Sequence, residues 1–232
     1  MAPVSRDVGN LDGYGGAADL KGAGRDAGSD AERAEGPTGL ARSQAQRRRR
    51  VLDAALALAA KGGFEAVQMR DVAAEAGVAL GTVYRYFESK ERLLLEANFE
   101  QVEALGMALR SRPPSGETAA DRVVDVLHRA TVTLQRFPDA TAAMVRALGS
   151  ASPSEAESVR RVTEAMNEII ASAMQPRPHD VDSEESANRE QLAVARALNQ
   201  VWFSSLIGWV GGVDPPERVL DDLEVAARLL VR

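Results

Sequence analysis

Residues 68–90, QMRDVAAEAGVALGTVYRYFESK, confine two short helices and a sharp turn to twenty-three residues, and few folds accept that arrangement. Met69, Val72, Ala73 and Ala76 recur at helical spacing. Gly77 stands where that helix must stop, because glycine accepts a left-handed backbone without a Cβ clash. Val78 plugs the turn, and Leu80, Val83 and Phe87 resume an apolar rhythm of three to four residues. Gly81, Thr82, Tyr84, Arg85 and Tyr86 are left to face outward or sideways. Small, hydroxylated, aromatic and basic groups on the free side of a short second helix suit insertion into a DNA groove. The competing reading is an ordinary helical hairpin with a solvated outer face. Two exposed tyrosines beside an arginine weigh against it, because large apolar bodies left in water are costly without a partner.

The charge distribution points the same way. Residues 41–90 carry nine basic and five acidic groups, whereas residues 1–40 carry four and seven, and residues 91–232 carry fifteen and twenty-two. Only the two-helix segment is net positive, within a chain of net charge −6. A phosphate-binding module requires that local excess, and an acidic remainder favours docking through one end. Abundant alanine and only 4% aromatic residues favour closely packed helices, so an all-α fold is expected. The absence of cysteine excludes disulfides and thiolate chemistry. No apolar run approaches the ~18 residues of a membrane span, and no secretory signal is visible, so the cytoplasm is the expected location.

Residues 1–40 hold nine glycines and almost no apolar clustering, which predicts a disordered tail. Ser43 and Gln46 have the spacing of a capping box, so folding is expected to begin there. The helix that follows carries Val51, Leu52, Ala55, Leu58 and Ala59 on one stripe and ends at Gly62-Gly63. Arg47 to Arg50 would then occupy its first turns, against the helix dipole by about 0.3–1 kcal/mol each when exposed. That placement suggests attraction to an external anion, DNA phosphate or the minor groove, with a solvated charge run as the alternative. Ser89 is expected to cap the next helix, which runs to about residue 109. Further helices are predicted at about 119–136, 138–149, 153–175, 186–211 and 216–231, with an exposed loop at 176–185. Ser152-Pro153-Glu155 and Asp214-Pro215-Glu217 mark two of the starts. These elements divide the chain into a tail at 1–40, a DNA-binding domain at 41–90 and a helical domain at 91–232.

In this order the elements resemble the TetR family of one-component transcriptional repressors. The likeness is strongest over 47–99, where AGVALGTVYRYFESK holds every hallmark of the family's helix-turn-helix. FEAVQMRDVAAEAGVALGTVYRYFESK, QVWFSSLIGWV at 200–210 and LEVAARLL at 223–230 are similar more narrowly to the KstR-type branch, repressors of sterol catabolism in actinobacteria. Glu88 and Gln68 depart from the common pattern, where proline and threonine are frequent. The resemblance implies DNA contacts from Arg47, Arg48, Arg70, Gly81, Thr82, Tyr84, Arg85, Tyr86 and Lys90. Gly81 would allow close backbone approach, Thr82 would reach a base edge or phosphate, and Tyr84 and Tyr86 would donate to phosphates. Lys90, at a helix start, would add a cation to an anion site, and Arg70 and Arg85 would meet guanine or phosphate.

The same resemblance implies a carboxy-terminal bundle that senses a ligand and dimerises. Val219, Leu220, Leu223, Ala226, Ala227 and Leu230 form one amphipathic stripe, and the helix at 186–211 is apolar on several faces. Val219, Leu223 and Leu230 are therefore expected at an isologous dimer interface. Met144, Leu148, Met166, Ile170, Trp202 and Leu206 are candidates for an apolar effector pocket, with ordinary core packing as the alternative. The resemblance suggests a sterol-derived coenzyme A thioester as effector, its charged part near Arg160 or Arg161. Another apolar ligand, a fatty acyl-CoA or drug-like compound, stays open. His128 and His179 are the only histidines, and no cofactor, metal set, nucleophile elbow or phosphate loop accompanies them. A non-enzymatic, homodimeric repressor on a palindromic operator is expected. A helical scaffold whose basic domain no longer reads DNA is the alternative from another class.

Overall fold

A computed structural model describes residues 39–175 and 189–231, and every regular element among them is helical. The tail expected over 1–40, apart from its last two residues, lies outside the described residues. So do the loop at 176–185 with His179, and the predicted helix start at 186. The elements are α1 (Gly39–Ala66), α2 (Met69–Glu75), α3 (Leu80–Tyr86), α4 (Lys90–Ser111), α5 (Ala119–Gln135), α6 (Pro138–Gly149), α7 (Ala156–Met174), α8 (Arg189–Val210) and α9 (Pro216–Leu230). A single 3-10 turn, Pro153–Glu155, leads into α7. No described helix is long and apolar enough to cross a membrane.

Most predicted boundaries agree with these elements, because local capping chemistry sets them. Ser89 accepts the Arg92 backbone N–H at the start of α4. Ser152 and Glu155 form the expected reciprocal cap before α7. Thr118 and Asp121 form a second one at α5, which the sequence reading did not single out. Two expected caps are absent. α1 begins at Gly39, so Ser43 lies inside the helix, and its backbone carbonyl and hydroxyl accept from Arg47. The arginines at 47–50 consequently sit in the third and fourth turns, beyond the reach of an unfavourable terminal dipole. Asp214 does not cap α9: Pro215 holds the cap position without a side-chain bond, and the Asp214 backbone N–H donates to the Gly208 carbonyl.

The kink at Gly62-Gly63 is where the sequence placed the end of the first helix. Gly63 adopts φ 65° there, a left-handed value that a Cβ would disfavour. A last turn then continues to Ala66.

The helices enclose two apolar cores. The first gathers Val51, Leu52, Ala55 and Ala59 of α1, Val72 and Ala73 of α2, Val83 of α3 and Phe87, and it also takes Leu93–Leu95 of α4 and Ala140, Ala143 and Ala147 of α6. The second holds Val102 and Leu109 of α4 with residues of α5, α7, α8 and α9. α1 is thus packed against α4 and α6, and α2 and α3 share the core it forms with them. Alanines at 140, 143 and 147 keep the α6 surface low enough for α1 to lie close.

The α9 stripe does not face where the sequence placed it. Val219 and Leu223 are fully enclosed by the chain's own second core, which takes them out of reach of another copy. Leu230 is 40% exposed, and the free apolar side of α9 carries Val225 and Leu229, 59% and 75% exposed. Val219 and Leu223 of the expected interface thus belong to this core, whereas Leu230 lies at the edge of the side that α9 leaves open.

Glu155 gives the fold a pH signature. The Ser152 hydroxyl, then the Ser152 backbone N–H and the Ser89 hydroxyl, hold its carboxyl below the usual glutamate range, with burial acting in opposition. Since the folded value is depressed, its stabilisation is complete above the unfolded value of about 4.3 and is lost as pH falls through the lower folded one. Glu155→Gln should lower stability by about 1 kcal/mol at pH 7, and the deficit should shrink as the solution is acidified below pH 4. Urea unfolding across pH 3–7 checks this; a deficit independent of pH would count against the cap.

Candidate nucleic-acid interface and effector groove

The turn between α2 and α3 is built by backbone chemistry. The Val78 N–H donates to the Ala73 carbonyl at 3.0 Å and the Gly77 N–H to the Ala74 carbonyl at 3.2 Å, with Gly77 at φ 63°. This is the double closure of a Schellman motif, and only glycine adopts that φ without strain. It redirects the chain so that α3 lies across α2 with Val83 and Phe87 buried beneath it. Leu80, expected in the apolar rhythm, is instead exposed at the start of α3.

The outward face of α3 then carries Gly81, Thr82, Tyr84 and Arg85. Tyr84 is 50% exposed, and nothing stands within 4 Å of the position a Gly81 Cβ would take. A glycine inside a helix costs about 1 kcal/mol relative to alanine, and no neighbour in this chain requires it. Arg70, in the first turn of α2, is exposed as well. These five residues form the part of the predicted DNA set whose side chains make no hydrogen bond or ion pair among the described residues.

The remaining candidates are committed elsewhere. Arg48 donates 2.7 Å bonds to Glu96 and Glu100 of α4, and its guanidinium lies over the Phe87 ring. The reason is an i,i+4 pair of carboxylates that α4 presents to α1. Arg47 folds back onto Ser43. Tyr86 is half-buried, its hydroxyl 3.5 Å from the Gln44 carbonyl, and Arg85 stacks on its ring. Lys90 begins α4, but its ammonium turns to the end of α1, where it donates to the Phe64 carbonyl at 3.1 Å and lies 4.0 Å from the Phe64 ring centre. That carbonyl is one of those a helix end leaves without an intrahelical partner, and a cation suits the negative end of the dipole.

Glu96 was missed by the sequence reading, and it is a buried carboxylate held by three partners from two other helices. Its side chain is 8% exposed. Oε2 accepts from Arg48 of α1, while Oε1 accepts from Arg161 at 2.8 Å and Ser158 at 3.4 Å, both of α7. A charged residue inside the run LLLEA was the available signal.

A groove of about 790 Å³ lies between α4 and α7. Gly106, Leu109 and Arg110 of α4 line one side, Ala165, Ile169 and Ser172 of α7 the other, and Pro113–Ser115 and Arg122 close one end. None of the six expected pocket residues lines it. Met166, Ile170, Trp202 and Leu206 are enclosed in the second core, Met144 is buried, and Leu148 packs against both cores. Trp202 is further fixed by a 3.0 Å bond from its indole N–H to Thr131. On α7, Met166 and Ile170 lie on the buried face, whereas the groove is lined by 165, 169 and 172. Arg160 and Arg161, expected near a charged ligand group, pair with Glu157 and Glu96.

Comparison with known proteins decides the family. Residues 51–97 match the tetR family of bacterial regulatory proteins, and residues 116–230 match a tetracycline-repressor-like C-terminal domain. The chain is 41% identical over 192 residues to the HTH-type transcriptional repressor KstR of Rhodococcus jostii, covering 82% of this chain and 84% of that protein. The chain belongs to the TetR family. As a TetR-family protein it is a KstR-like transcriptional repressor with a helix-turn-helix DNA-binding domain. KstR of Mycobacterium tuberculosis is 35% identical over 189 residues, 82% of each chain. A TetR transcriptional regulator from Rhodococcus sp. RHA1 superposes with a TM-score of 0.71 at 31% identity, over 82% of this chain and 97% of that one. Thermus thermophilus FadR, a TetR-family repressor solved with lauroyl-CoA, shares the fold with a TM-score of 0.63 at 22% identity, over 79% and 92% of the two chains.

In this TetR-family chain the Lys90 contacts imply a measurable structural role. Lys90→Ala should cost about 1–2 kcal/mol in urea unfolding, through the lost carbonyl bond and ring contact. Unchanged stability would show that these contacts contribute no net stabilisation.

Proposed function

We propose that this repressor grips a roughly palindromic operator as a homodimer, through the outer face of α3, and lets go when a bulky apolar acyl thioester enters the groove between α4 and α7. The observation that carries the DNA reading is the free set Arg70, Gly81, Thr82, Tyr84 and Arg85, left open beside cations already committed within the chain. The intact set also argues against a scaffold that has lost DNA. In this reading residues 41–90 are the reading head and 91–232 the sensing and dimerising domain. Two heads would enter major grooves about one helical turn, ~34 Å, apart.

Dimerisation is supported by the apolar side that α9 leaves open at Val225, Leu229 and Leu230, with Ile207 exposed on α8. The effector class is supported by the apolar floor of Leu109, Ala165 and Ile169 and by the exposed Arg110 at the rim. Likeness to KstR favours a sterol-derived acyl-CoA, while FadR was solved with lauroyl-CoA and stands for the fatty acyl alternative.

Tyr84→Phe and Arg70→Ala should each weaken binding to DNA upstream of the protein's own gene without altering its unfolding curve. Arg70→Ala should also flatten the salt dependence by about one counterion unit. Titrating lauroyl-CoA, stearoyl-CoA and a steroid side-chain acyl-CoA into the protein–DNA complex separates the effector classes. If none dissociates the complex at micromolar concentration the effector reading fails, and the DNA reading stands on the first test.

Val225→Glu with Leu229→Glu should give folded monomers with weak operator binding, because two heads on one body raise effective concentration. Leu223→Ala should instead destabilise each chain by about 2–5 kcal/mol, as a core deletion does. Light scattering of both variants checks the assignment, and a folded 225/229 variant that stays dimeric would refute it.

A further inference from the structure

The groove and the Glu96 cluster are two ends of one helix–helix seam. On α4, Glu96, Phe99, Glu103, Gly106 and Leu109 follow one another at three- and four-residue spacing, along one face. On α7, Ser158, Arg161, Ala165, Ile169 and Ser172 do the same. The groove occupies the far end of both faces, and the Glu96 ion pairs close the near end. Arg161 also lies 4.2 Å from the centre of the Phe99 ring, so its guanidinium is fixed from both sides. Eight residues separate Arg161 from Ile169, about 12 Å of rigid helix.

The two carboxylate oxygens of Glu96 serve different partners. Oε1 faces α7, and Oε2 holds Arg48 of the reading head. A buried carboxylate cannot lose all its cations cheaply, so a parting of α4 and α7 leaves Glu96 on Arg48 alone and frees the head's α1 from α7. We infer that Glu96 is the positioning residue through which groove occupancy reaches the DNA-binding head: the Arg161–Glu96–Arg48 chain holds the seam shut and the head in its DNA-binding pose, and a groove occupant that spreads the seam competes with it. This rests on the effector reading of the groove and deepens it. Competition gives an unusual pair of signs. Weakening the grip must lower operator affinity and raise effector affinity together, because the two ligands select opposite states of one equilibrium.

The test uses the full chain with Arg161→Met, Arg161→Lys and Ser158→Ala, measuring operator affinity by anisotropy and stearoyl-CoA and steroid acyl-CoA affinity by calorimetry. Arg161→Met should weaken operator binding by about five- to tenfold and tighten acyl-CoA binding by a similar factor. Ser158→Ala should shift both in the same directions by less, and Arg161→Lys should restore both toward the parent values. General loosening of the fold would instead weaken both affinities, and that outcome, or no change in either, overturns the inference. If the parent chain binds neither acyl-CoA, the effector reading fails and operator affinity decides: a loss in Arg161→Met rescued by Arg161→Lys supports the grip, and an unchanged affinity overturns it.

Discussion

The carboxylate of Glu96 is buried where the two cores of this protein meet, and the pose of the reading head depends on it. α4 contributes Leu93–Leu95 to the first core and Val102 and Leu109 to the second, with Glu96 and Glu100 between them. Glu96 is enclosed among apolar neighbours, where an unpaired charge costs several kcal/mol. Arg48 from α1 and Arg161 from α7 supply the compensation. Apolar burial alone would hold the head to the body without fixing its angle. The ion pairs add direction, because guanidinium and carboxylate match only over a narrow range of geometries.

The allocation of cations follows from the same constraint. Of the basic groups near the helix-turn-helix, Arg48 and Lys90 brace α1 against α4, and Arg146 also stacks on the Phe64 ring. Those contacts build the platform, and the exposed face of α3 stays unencumbered. Gly81, Thr82 and Tyr84 have no structural work that would account for their types, whereas Val83 and Phe87, interleaved with them, carry the packing. A helix of seven residues thus separates two tasks by face alone.

Much of this was legible in the sequence, for identifiable reasons. Helix limits at Ser89, Ser152 and Gly77 could be read because each depends on residues within one turn of one another. Ser43 misled because its spacing to Gln46 is that of a cap while the helix continues four residues further back. α9 shows its stripe plainly in sequence, but Val219 and Leu223 turn it toward α5 and the rest of the chain's own core, a choice that no single helix encodes. The groove between α4 and α7 was no more legible. Met166, Ile170 and Trp202 are apolar enough to line a cavity, yet the groove lies where small residues, Gly106 and Ala165, leave volume between two helices. The Arg48–Glu96 pair spans 48 residues and is invisible to local reading, although a glutamate within LLLEA was a hint.

The claim that Glu96 sets the head's pose is tested most directly by a double-mutant cycle read on operator affinity, with Arg48→Met, Glu96→Gln and both together. If the pair acts as one positioning unit, each single variant should lose most of what the double variant loses, with an interaction term of about 1.5–3 kcal/mol. Losses that add to within about 0.5 kcal/mol would show two independent contributions and would contradict the account.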